Sequence, residues 1–136
     1  MRVIALSLVA IALWGQSAPD VMELIRSVGA ALSNAHSGGP HNEPDPAPFF
    51  DNFDPAMPGY AKFRNEIEEL VGSDPVGTQI EVLSDEGDDR KRALELDWIL
   101  EIDDQQPRRQ VIKCTIERRK GKWKITALDP IEFFKD

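Results

Sequence analysis

The stretch "LELDWILEID", Leu94 to Asp103, alternates apolar and acidic residues and sets Glu95, Asp97, Glu101 and Asp103 in one row. A carboxylate row of this kind could do general acid or base chemistry, but only where burial or a neighbour displaces a pKa toward the working pH. A second constellation, His36, His41, Glu43 and Asp45, carries imidazole and carboxylate groups that could hold a cation. No standard zinc spacing is present, and a solvated helix end and loop are the plain alternative. Cys114 is the only cysteine. As a nucleophile it would need a His partner and an electropositive setting, whereas Ile112 and Ile116 on its own strand face point to a buried structural thiol. These residues assign no catalytic set, no metal and no cofactor.

The elements that must position these groups are readable from periodicity. From Asp20 to His36 the apolar residues Val21, Leu24, Ile25, Val28, Leu32 and Ala35 recur at spacings of three and four, which predicts an amphipathic helix. Asp20 and Glu23 resemble a capping box at its start, and Gly38 and Gly39 stand at its end. Residues 40–58 hold six of the ten prolines, so 37–48 is expected to be a proline-rich loop. A short helical turn from about Pro46 to Asn52 would press Phe49, Phe50 and Phe53 onto the core, the alternative being an exposed aromatic recognition motif. A second helix follows in "MPGYAKFRNEIEELVG", with Tyr60, Phe63, Ile67, Leu70 and Val71 on one face, charges on the other, and Gly72 at the end.

After Pro75 the period changes to two. Four strands are expected, about Thr78 to Leu83, Arg92 to Asp103, Arg109 to Arg119 and Lys122 to Leu128, with Ile131 to Phe134 as an extension. A two-residue Lys120-Gly121 turn would set Ile116 opposite Ile125, Cys114 opposite Ala127, Glu117 opposite Lys124 and Thr115 opposite Thr126. Pairing Asp103 with Arg109 would set Leu100 by Ile112, Trp98 by Cys114 and Leu96 by Ile116. Leu94, Leu96, Trp98, Leu100, Ile102, Ile112, Cys114, Ile116, Trp123, Ile125 and Ala127 then share the side that receives the helices. The four carboxylates fall on the opposite side, in a cross-strand mosaic with Arg109, Lys113 and Arg119, where solvation opposes acid-base chemistry.

At the amino terminus, Arg2, the twelve uncharged residues Val3 to Trp14, and the small residues Gly15 and Ser17 have the three parts of a secretory signal peptide. The apolar segment is shorter than the roughly 20 residues that span a bilayer. The expectation is a leader of residues 1–17, cleavage after Ser17, one domain over 18–136, and a periplasmic or secreted protein with no membrane attachment after cleavage. A formal net charge of −8 argues against a nucleic-acid partner, which would call for clustered Lys and Arg. With one cysteine the exported domain has no internal disulfide framework, so a core must hold it together.

Helix, short aromatic helix, second helix and long meander, carried by "FFDNFDPAMPGY", "FRNEIEELV", "ALELDWILEID" and "RRKGKWKITALDPIEFF", resembles the NTF2-like superfamily, also called the SnoaL-like or cystatin-like α+β cone. The resemblance covers about Asp20 to Phe134. It implies an α+β fold whose amino-terminal helices pack on a curved four-stranded antiparallel sheet, with "DPAMPGY" replacing the usual first hairpin. It further implies a conical pocket for a small hydrophobic ligand, lined by Phe50, Phe53, Tyr60, Phe63, Trp98, Leu100, Ile112, Cys114 and Trp123, and a homodimer through the outer sheet face. Enzymes that the fold resembles, ketosteroid isomerase, scytalone dehydratase and polyketide cyclase, place an Asp, His or Tyr inside the cone, and those sites do not map onto this sequence. The functional expectation is a non-enzymatic module for a small apolar ligand or a partner chain. The alternative is an isomerase, dehydratase or cyclase acting on a small hydrophobic substrate.

Overall fold

A computed structural model of the chain describes residues 18–135; the expected leader, residues 1–17, lies outside the described residues. Helix α1, Pro19–Asn34, buries Val21, Leu24, Ile25, Val28 and Leu32 and closes with a 3-10 turn, Ala35–Ser37. Its start differs from the expected capping box. Ala18 is the N-cap, Pro19 opens the helix, and Glu23 pairs with Arg26 at 2.8 Å. Asp20 is engaged elsewhere, because proline at the first helical position already removes a donor that a cap would satisfy.

The proline-rich segment is folded by its own backbone. Gly39 N–H donates to Glu43 O, Asn42 N–H to Gly39 O, and Asp45 N–H reaches back to Ala35 O. Helix α2, Ala47–Phe50, is a single turn that buries Phe49 and Phe50, so the aromatics are packed rather than displayed. Helix α3, Tyr60–Ser73, starts from Gly59 in the left-handed region at φ 74° and buries Phe63, Ile67, Leu70 and Val71. It runs through Gly72 to Ser73, with Asp74 as the C-cap; nothing lies within 4 Å of where a Gly72 side chain would be, so this glycine is not the helix stop that its position suggested.

Strands β1, Val76–Gly87, β2, Lys91–Ile102, β3, Arg108–Arg119, and β4, Lys122–Asp129, form one antiparallel sheet in the order β1-β2-β3-β4. β1 extends past the expected Leu83 because a bulge between Val82 and Ser84 absorbs that residue and lets pairing continue to Gly87 with Arg92. Leu83 is left 48% exposed.

The register departs from expectation in two places. β2 and β3 pair as Leu96 with Ile112, Leu94 with Cys114 and Arg92 with Ile116. The shift is an even number of residues, so every side chain keeps its face, and matching apolar to apolar cannot detect it. A wider turn, with Asp104 at φ 63° and Gln105 N–H donating to Ile102 O, sets the alignment. In the last hairpin Ile116 with Ile125 and Glu117 with Lys124 hold as expected. Beyond them a bulge places Cys114 opposite Leu128 and Thr115 opposite Ala127, so Leu128 replaces Ala127 in the core.

The shifted register sets polar Gln110 and Arg108 opposite Trp98 and Leu100, and the carboxyl-terminal segment supplies the missing apolar cover. Ile131–Phe134 is therefore not a strand extension but a 3-10 turn. The Phe134 ring lies 4.9 Å from Trp98 and that of Phe133 6.5 Å, while Arg108 Nη1 donates to Phe133 O at 3.0 Å.

Candidate functional site

Among the described residues most of the expected cone lining is buried. Phe63, Trp98, Leu100 and Ile112 are fully buried, and Phe53, Cys114, Trp123 and Phe50 nearly so. No polar or charged residue is buried among the described residues. Phe63 is ringed by Phe49, Phe50, Phe53 and Phe134 at centroid distances of 5.1 to 6.3 Å, the spacing of well-packed aromatic pairs. The Trp98 indole N–H donates to Thr78 Oγ1 at 2.6 Å.

Three of the nine expected ligand-binding residues also border a surface groove, Tyr60 half-buried and Phe50 and Phe53 with little exposed area. Phe50, Phe53 and Tyr60 floor a groove of about 650 Å³ between α2, the start of α3 and the β3–β4 hairpin, with Ala47 and Pro55 beside them. Its rim holds Arg64, Arg119, Lys120 and Lys124 against Asp51 and Asp54. The chain puts these groups together through a short parallel bridge, Phe53 beside Ile125. Asp54 N–H donates to Ile125 O and Ile125 N–H to Asn52 O, which straps the loop before α3 to the edge of β4. Lys124 Nζ donates to Asp51 O, and Arg119 spans Asp54 at 3.0 Å and Glu117 at 3.2 Å. The Arg64 guanidinium stands 5.5 Å from the Phe50 ring centroid, within cation–π range. The remaining expected residues, Phe63, Trp98, Leu100, Ile112, Cys114 and Trp123, do not line this groove.

The rim was not singled out from the sequence, although a signal exists. Arg118, Arg119, Lys120, Lys122 and Lys124 crowd one hairpin of an otherwise acidic chain.

The carboxylate row lies on the wet sheet face. Asp97 accepts from Arg109 at 2.7 Å, and this bond with the guanidinium charge holds its pKa below the ordinary range. Glu95 accepts from Ser84 Oγ at 3.0 Å. Glu117 is likewise held low, first by the Thr126 hydroxyl, and Asp54 first by the Ala56 N–H and then by Arg119. Cys114 is pushed up to about 12 by burial, so its thiol stays protonated and unreactive. His36 Nδ1 meets Val71 O at 2.6 Å, tying the end of α1 to α3. Glu43 accepts the His41 N–H and Asp45 the Ala47 N–H. Among the described residues no three of His, Cys, Asp and Glu converge as metal ligands.

Asp20 is a hub that sequence reading assigned to a cap. Its Oδ2 accepts from Arg118 at 2.6 Å and from the Trp123 indole at 2.9 Å, and Arg118 stacks 4.5 Å from the Trp123 ring centroid. Partial burial would raise the Asp20 pKa, but the Trp123 and Arg118 bonds outweigh it and hold the group low. The constellation fastens the start of α1 to the β3–β4 hairpin.

No family model matches the chain, and no curated protein matches it. Solved structures do. Bd1075 of Bdellovibrio bacteriovorus aligns with a TM-score of 0.65 at 12% identity over 81% of this chain, which spans only 38% of Bd1075. A domain of unknown function with a cystatin-like fold from Nostoc punctiforme gives 0.58 at 13% identity, covering 83% of this chain and 76% of that one. AclR, a putative hydroxylase from Streptomyces galilaeus, gives 0.51 at 14% identity, covering 79% and 71%. The chain has the cystatin-like, NTF2-like α+β fold, and at these identities the likeness is one of fold alone.

Proposed function

We infer that this chain is an exported, non-enzymatic binding module, and that its ligand is a small molecule with an apolar body seated in the groove over Phe50, Phe53 and Tyr60. The observation that carries the reading is a surface groove beside α3 in which half-buried Tyr60 and the small exposed remainders of Phe50 (8%) and Phe53 (3%) meet a charged rim. Binding sites are concave, largely apolar, and carry a few polar groups that fix orientation. An isomerase, dehydratase or cyclase would need an acid or base inside the cone with a pKa shifted toward neutrality. The described core offers none, and the shifted carboxylates move downward. Native mass spectrometry of protein purified gently from its own host tests the reading. An extra mass lost on denaturation supports it, and bare protein counts against it. Export is tested separately by amino-terminal sequencing, with a start near Ala18 expected and Met1 as the contrary result.

A second reading, self-association through the outer sheet face, is favoured by Val111, which is 46% exposed beside the Asp97–Arg109 pair. Replacing Val111 with Lys should then convert a dimer to a monomer in sedimentation.

A further inference from the structure

We propose that the groove selects an amphiphilic anion, an organic carboxylate on an alkyl or aryl body. The proposal rests on the binding reading above and adds the charge of the ligand. The chain is strongly acidic, with 24 Asp and Glu against 16 Lys and Arg, yet four cations and two carboxylates meet at this one aromatic floor. At physiological salt, charges farther off than about 8 Å are largely screened, so a ligand meets the groove's own charges, the four cations with Asp51 and Asp54 and with Glu117 and Glu68 on Arg119 and Arg64, rather than the overall acidity.

The internal pairing is uneven. Asp54 is already satisfied by the Ala56 N–H and Arg119, and Arg119 is shared with Glu117. Arg64 reaches only Glu68, at 3.7 Å and on a solvent-exposed side chain, and Lys120 has no ion-pair partner among the described residues. Lys120 also stands at φ 54°, a left-handed position where Asn or Gly would be easier. The two-residue turn between β3 and β4 requires that φ and carries the long cationic side chain to the lip of the groove. The Asp51 and Asp54 carboxylates on the same rim disfavour a polyanion such as a nucleotide, and leave room for one negative charge. The predicted pose lays the apolar body over Phe50, Phe53 and Tyr60 and sets the carboxylate between Arg64 and Lys120.

Calorimetric titration of the protein with octanoate and with octan-1-ol, at low and at high salt, tests the charge and the apolar site independently. Octanoate should bind about tenfold more tightly than the alcohol, and the margin should shrink as salt rises. The double variant Arg64→Gln, Lys120→Gln should lose that margin while still binding the alcohol, with an unchanged urea midpoint showing that it folds. Equal binding of the two probes by the parent would overturn the anion proposal and leave the groove as an apolar site. A margin that survives in the double variant would overturn the placement of the charge. Failure of both probes to bind would overturn this proposal together with the reading it rests on.

Discussion

Truncating Phe63 to Ala removes a ring that is fully buried and has four aromatic neighbours within 6.3 Å. Those rings belong to α2, the loop that follows it and the carboxyl-terminal turn, which cannot all close in on the space at once. The expected cost is that of a buried Phe lost with little relaxation, about 3–5 kcal/mol. Domains of this size unfold with about 5–15 kcal/mol in total, so about a fifth or more of the stability should disappear. With a urea slope of about 1.5 kcal/mol per molar the midpoint falls by about 2–3 M. At about 4 °C per kcal/mol the melting temperature falls by about 12–20 °C. Trp98 and Trp123 sit in the same core and report the transition by fluorescence. The vacated space, lined by rings, should stay dry and admit benzene within the core. A loss below about 1 kcal/mol would refute the reasoning, because it would mean that Phe63 borders open space and that the cone is a pocket.

Cys114 should resist an aromatic disulfide reagent at pH 8 in the native protein and react only in denaturant, because burial pushes its thiol up to about 12; rapid native labelling would contradict this. Two glycine substitutions should have opposite signs in urea unfolding. Gly87→Ala would put a methyl 2.2 Å from Lys91 O at φ 145° and should cost at least about 2 kcal/mol, whereas Gly72→Ala meets nothing within 4 Å and should stabilise α3 by about 0.5 kcal/mol. Asp20→Ala removes the acceptor shared by Arg118 and the nearly buried Trp123, and with the exposure of that pair discounted should cost about 1 kcal/mol. Asp20, Asp54, Asp97 and Glu117 all have folded pKa values below their ordinary ones. Their contribution is therefore fully present above the unfolded-state values near about 4 and is lost as pH falls through the folded ones. The urea midpoint should hold level from about pH 7 to pH 5 and drop below about pH 4; a midpoint that rises on acidification would contradict that sign.

Much of this architecture could be read from period alone. The spacing of Val21, Leu24, Ile25, Val28 and Leu32 and the alternation of Leu94, Leu96, Trp98, Leu100 and Ile102 report which side of each element is dry, and the structure buries every one of them. What period cannot carry is register, because a slip by an even number of residues leaves every face intact. The pairing of Leu96 with Ile112 therefore depended on the turn around Asp104, and that of Cys114 with Leu128 on a bulge. The segment Ile131–Phe134 has strand composition, yet it turns inward because the shifted register leaves Trp98 opposite Gln110. The groove was half legible. Phe50, Phe53 and Tyr60 stood out as aromatics, but half of the rim that meets them, Arg119, Lys120 and Lys124, lies far along the chain. It is brought there by the bridge of Phe53 to Ile125, a contact with no local sequence signature.

The most direct test of the account is an amide and indole nitrogen–proton spectrum of the labelled protein titrated with octanoate. The account predicts shifts concentrated at Phe50, Phe53, Tyr60, Arg64 and Lys120, with the Trp98 indole and the amides of Leu100 and Ile112 unmoved. Shifts centred on Trp98, Leu100 and Ile112 would contradict it, since they would place the ligand inside a cone that the structure packs with side chains.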